Sequence, residues 1–114
     1  MRILLAGMSS LLVGIVTAVF AQMPDAVVAG SVGEGEDLAS RVRRTGSDVV
    51  VMQVQHPGNA AEFEALLRQF PALRVIAIAA RGNDGFLHEL RLHTEKLPDL
   101  SLVSLRDAIR RPTA

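Results

Sequence analysis

The residues best equipped for chemistry follow a run of β-branched and apolar side chains. In Asp48 to Gly58, DVVVMQVQHPG, the run Val49, Val50, Val51, Met52 and Val54 encloses Gln53 and gives way to Gln55 and His56 before a proline-glycine turn. The carboxyl end of such a buried strand is where an open α/β sheet places its ligand crevice. Amides and one imidazole supply hydrogen bonds there, but neither a strong nucleophile nor an acid. Ser9 and Ser10 lack a placed histidine base and read as helix N-caps; an anion held by the amides of Gly7-Met8-Ser9-Ser10 is the less ordinary alternative. His56, His88 and His93 are the only candidate imidazole ligands, and the last two lie five apart, a spacing that fits neither one face of a strand nor a helical metal pair. All three are expected as solvated surface histidines, with no metal and no cofactor. Gly30-Ser31-Val32-Gly33-Glu34-Gly35 reads as a turn rather than a dinucleotide loop, and Arg41, Arg43 and Arg44 as a solvated helix end.

Composition narrows the function classes further. The 114 residues make one domain, 1–114, with a single core. Twelve basic and twelve acidic residues balance, so no net charge draws the chain towards nucleic acid. Four Phe with no Trp or Tyr argue against base-stacking platforms. The absence of Cys removes disulfides, thiolate metal sites and thiol catalysis, and fits a reducing, cytoplasmic setting. Residues 1–21 can be read as a signal peptide cut after Ala21, which would make the protein an exported one. Against that reading, Arg2 is a thin positive region, Gly7-Met8-Ser9-Ser10 interrupts the apolar run, and cleavage would delete a strand and a helix that the downstream pattern needs. Leu11 to Ala21 is also shorter than the ~20 residues of a membrane span, so no membrane partner is expected.

The elements that must position these residues alternate between periods. Arg2 to Ala6 predicts a strand, and Ser9 or Ser10 caps a helix to about Gln22. Ala26 to Val32 is a second strand, followed by a helix over Glu36 to Thr45 that ends at Gly46. After the central strand, Phe63, Leu66, Leu67 and Phe70 mark a helix from about Asn59. Arg74 to Ala80 is a fourth strand, and Leu102 to Arg111 a closing helix with Leu102, Leu105, Ala108 and Ile109 inward. Alternating strands and helices of this length predict βαβ units and a parallel sheet. Asp84 to Leu97 fits either a helix or a long strand; a strand is preferred, because too few residues remain for both a full helix and an apolar strand.

RILLAG, QMPDAVVAGSVGEGEDL, SDVVVMQVQHPG, RVIAIAA and the closing LRDAIRR together resemble a receiver domain of two-component response regulators over Arg2 to Arg111. The resemblance implies a flavodoxin-like, three-layer α/β sandwich. Its sheet would be doubly wound, five-stranded and parallel, of order 2-1-3-4-5, with the helix between strands 4 and 5 short or missing. It also implies a site made of an acidic pair, a phosphoacceptor aspartate, a hydroxyl residue and a lysine. Those positions fall here on Gly7 and Met8, on Gln53, on Ala79, and near Pro98, with Lys96 the nearest lysine. Glutamine cannot form an acyl phosphate, and without carboxylates nothing holds Mg²⁺. The expectation is a degenerate, phosphorylation-independent receiver that is no enzyme.

The first helix then stands out, because Leu11 to Ala21 carries no charge. With Leu12, Ile15, Val16 and Val19 turned to the sheet, Leu11, Val13, Ala18 or Phe20 must look outward, covered by neighbouring segments or by a partner. A long edge strand through Leu90 and Leu92 is a second candidate interaction surface. The sequence therefore predicts a cytoplasmic protein-interaction module, homodimeric and coupled to a signalling partner it does not identify. The alternative is a small-ligand sensor built around Gly7, Gln53, His56 and Ala79.

Overall fold

Arg2–Ala6 (β1) is apolar on both faces because it lies inside a sheet, with Ile3, Leu4 and Leu5 wholly buried. The computed structural model describes residues 1–33, 35–81, 84–90, 94–97 and 102–110. Within them β1 pairs in parallel with Val27–Val32 (β2) on one side and Val49–Val54 (β3) on the other, and β3 pairs in parallel with Arg74–Ala79 (β4). Ser10–Phe20 (α1), Leu38–Thr45 (α2) and Ala61–Gln69 (α3) are the crossover helices, and Leu102–Arg110 (α4) closes the chain.

The sheet departs from the expected five parallel strands. Among the described residues it has six, in the order β2-β1-β3-β4-β5-β6, and it is mixed. Gly85–His88 (β5) runs antiparallel to β4, and Thr94–Leu97 (β6) runs antiparallel to β5. The physical reason is length: a parallel return needs a crossover of a dozen or more residues, and only residues 80–84 separate β4 from β5. The chain turns straight back instead. Among the described residues no helix lies between β4 and β5, and the segment expected as one long strand is two strands of four residues.

Side-chain alternation sends each strand's residues into two cores. Ile3, Leu5, Val49, Val51, Ile76, Leu87 and Leu97 meet Val16 and Phe20 of α1 and Leu105, Ala108 and Ile109 of α4. Leu4, Ala6, Val50, Val75 and Ala77 meet Val42 of α2 and Phe63 and Leu67 of α3. The result is three layers, helices on both faces of the sheet.

Helix ends follow local chemistry. Ser9 accepts from the Leu12 amide at 3.2 Å, and Asp37 accepts from the Ala39 amide at 3.2 Å. Gly46 closes α2 in the left-handed region, φ 61°, and its amide donates to the Val42 carbonyl. The α1 phase differs from expectation. Phe20 is wholly buried and Val13 packs against the core, whereas Ile15 is 41 % exposed. The inward stripe is Val16 and Phe20, fully buried, with Leu12 and Val13 partly buried against the same core. An all-apolar helix offers no polar marker from which that phase can be read.

Candidate functional site

At the carboxyl ends of β1 and β3 the structure brings Gly7 and Gln53 side by side. A Cβ added at Gly7 would stand 3.1 Å from the Gln53 carbonyl oxygen, and the Gly7 backbone has φ 64°. An acidic side chain at this position would be both cramped and strained. Gly7 donates its amide to the Val32 carbonyl at 3.3 Å, which ties the end of β1 to β2. Met8 is half-buried and packs against the α1/α4 core.

Ala79 lies level with Val54, one step beyond Gln53 in the β3–β4 register. Its amide donates to the Asp84 carbonyl at 2.9 Å, while the Ala80 amide donates to the Val54 carbonyl at 2.9 Å. Gln53 shares a row with Ile78, Gly85 and Leu97, whereas Lys96 shares the preceding row with Met52, Ala77 and Phe86. Alternation therefore puts Lys96 on the opposite face of the sheet from Gln53. Its ammonium stands 3.9 Å from an Asp84 carboxylate oxygen, both side chains 65 % exposed. Such a pair adds little stability.

The arrangement can offer a neutral amide, backbone groups and small apolar surfaces. Among the described residues no group of three or more His, Cys, Asp or Glu could hold a metal ion. Ser9 is engaged as a cap, Arg41 pairs with Glu36 at 2.7 Å, and Arg43 lies 5.8 Å from the centre of the Phe70 ring. The arginine cluster is thus partly tied down by its own surroundings.

His88 is the correction that matters most here. It was expected on the surface and is 1 % exposed, the one buried polar residue among those described. Its Nε2 hydrogen-bonds the Pro57 carbonyl oxygen at 2.7 Å, and its ring lies 4.7 Å from that of Phe63. Phe86, on the same face of β5, lies against Gly58, where an added Cβ would come 3.0 Å from the ring. Together these contacts pin the loop after β3 across β4 onto β5. The sequence carries only part of this: a strand through Gly85–His88 places Phe86 and His88 on one face, without saying what covers that face. His56 is exposed as expected, and His93 lies outside the described residues.

The expected interaction surfaces are redistributed. Phe20 is interior, Val13 is partly covered, and Leu11 is 76 % exposed. Leu90 sits in a turn, 40 % exposed, and Leu92 lies outside the described residues. β5 is paired on both sides, and the edge strand β6 is four residues long with an exposed lysine, features that discourage pairing with another chain. Among the described residues no helix is long and apolar enough to cross a membrane.

Among the grooves of ligand dimensions, one lies beside β3. It measures 330 Å³ and opens between α2 and α3 over the end of β3, walled by Leu38, Met52, Val54, Phe63 and Leu66, with Glu62 and Gln69 among its lining residues. It belongs to the α2/α3 face, the face opposite Gln53. No protein-family model matches the chain, and neither does any curated protein or solved structure.

Proposed function

We propose that the chain is a receiver-like domain that has lost the phosphoryl switch and works as a cytoplasmic protein-interaction module, self-associating and handing its signal to a separate signalling partner. One observation carries this reading. The positions where a receiver would hold its acidic pair, phosphoacceptor and hydroxyl are occupied by Gly7, Met8, Gln53 and Ala79, and the positive φ of Gly7 disfavours an acid there. A neutral amide cannot be phosphorylated, and a site without carboxylates does not gather Mg²⁺. On this reading the domain is not an enzyme and needs neither cofactor nor nucleic acid.

The test uses beryllofluoride with Mg²⁺, which mimics a phosphorylated aspartate. The amide NMR spectrum is expected to stay unchanged, and Gln53→Asp alone is expected not to restore a response, because Gly7 and Met8 supply no carboxylate. Saturable shifts clustered around Gln53 in the unaltered chain would overturn the proposal.

A second reading, a small-ligand sensor, is favoured by the apolar groove between α2 and α3 rather than by the Gly7–Gln53 end. Its size falls within the range of ligand pockets, and apolar walls with a few polar groups are what such pockets have. A thermal-shift screen of small amphipathic compounds checks it: a rise that Leu66→Glu abolishes would favour the sensor over the interaction module.

A further inference from the structure

Leu11, Gly14, Ile15 and Ala18 are all exposed, and their spacing of three and four puts them on one face of α1, opposite Val16 and Phe20. No charged residue occurs between Arg2 and Asp25, so this outer face lacks the polar groups that normally solvate a surface helix. The face has an internal order. Along the helix its residues run large, small, large, small.

We infer that α1 pairs with α1 of a second copy of this chain, antiparallel, about a two-fold axis passing between Gly14 and Ile15. This rests on reading the chain as a self-associating interaction module and names the surface. The size order is what selects a second copy and its direction. About that axis Leu11 meets Ala18 of the second copy and Ile15 meets its Gly14, so every bulky side chain faces a small one, and the same holds in reverse, as an isologous contact requires. A parallel pair would set Ile15 against Ile15 and glycine against glycine, giving a clash beside a void. A surface with no charges also needs no complementary charges from its partner, and its own copy satisfies that condition. The helix has 11 residues, a length of about 16 Å. The footprint therefore falls short of the ~800 Å² per partner of a standard interface, and the dimer is reversible and appears as concentration rises.

The chain contains no cysteine, so introduced thiols report this contact without background. Gly14→Cys is suited to the purpose, because a Cβ at Gly14 meets nothing within 4 Å. Under copper-phenanthroline oxidation, Gly14→Cys, beside the axis, is expected to give a disulfide-linked dimer. Leu11→Cys alone is expected to remain monomeric, since its copies would lie roughly 10 Å apart along the helices, beyond disulfide reach. Leu11→Cys combined with Ala18→Cys is expected to cross-link again. In parallel, Ile15→Arg is expected to hold the concentrated chain at monomer mass in light scattering, with an unchanged far-ultraviolet circular dichroism spectrum.

Cross-linking of Leu11→Cys as efficient as that of Gly14→Cys would overturn the antiparallel pairing. A dimer that survives Ile15→Arg, with Gly14→Cys uncross-linked, would overturn the α1 contact and leave the interaction module with another surface. A monomer throughout the dilution series would remove both the pairing and the self-association in that reading.

Discussion

At the scale of single residues, His88 shows how one buried polar group can organise a loop. Its imidazole spans the gap between β5 and the turn after β3, bonding the Pro57 carbonyl while packing on Phe63. His88→Phe keeps an aromatic ring, one member larger, and removes that bond. The Pro57 carbonyl, in a buried residue, then loses its partner, and the cost is expected at roughly 1–3 kcal/mol in urea unfolding. A loss of less than a few tenths would show that packing alone holds the loop. Asp37 gives a second residue-level prediction. The Ser40 hydroxyl donates to it at 2.7 Å and, with the Ser40 and Ala39 amides and Arg43, holds its carboxyl below the ordinary 3.8. A depressed carboxyl stabilises the fold above its unfolded-state value, and that contribution is lost as pH falls through the folded-state value. Asp37→Asn preserves the cap but cannot titrate. It is expected to unfold less steeply than the parent chain as pH drops below 3.8, read by circular dichroism melts.

At the scale of elements, two glycines in open space separate backbone effects from packing. Neither Gly14 nor Gly46 would place a Cβ within 4 Å of another group, yet Gly46 sits at φ 61° and Gly14 lies inside α1. Gly14→Ala is expected to stabilise the monomer by about 1 kcal/mol, since alanine loses less entropy in a helix. Gly46→Ala is expected to destabilise it by about 1 kcal/mol, through the left-handed backbone alone. Denaturant midpoints measured at dilution check both, and equal signs would contradict the assignment of the α2 end. Elements were also the most legible level of the sequence. The capping Ser9 and the breakers Pro24 and Gly46 bounded α1 and α2 to within about two residues. The phase of α1 was not legible, because eleven uncharged residues carry no marker of which side meets water. The hairpin of β5 and β6 was not legible either, because a four-residue strand is too short to establish a period. Its reversal depends on chain length after β4 rather than on any motif. At the site, the neutral character of Gly7, Gln53 and Ala79 was readable directly, whereas the burial of His88 required knowing which strand covers which loop.

At the scale of the molecule, β1 is the strand the rest depends on. It joins β2 to β3, and α1, which follows it, supplies Val16 and Phe20 to the larger core. A chain starting at Gln22 would leave β2 and β3 unpaired at their shared edge and expose one face of the sheet. Such a truncation is expected to lack amide dispersion in NMR spectra; a well-dispersed spectrum would mean that the remaining strands can close without β1. The folded chain has a radius of gyration of 12.7 Å and extents of 30 × 30 × 29 Å. A doubled apparent mass on size exclusion would therefore report association rather than elongation. The turn-back after β4 also bears on how the chain reaches this state. Ile78 and Gly85 pair across seven residues, whereas Ile3 and Val49 pair across 46. Closing the short loop costs less chain entropy, and hairpins form within microseconds. The β4–β5 hairpin is thus placed to act as a fast local nucleus, with the long-range closure of β1 onto β3 setting the pace. Leu87→Ala would then speed unfolding or slow folding according to how early that hairpin forms, a kinetic question that the reversal of one strand has opened.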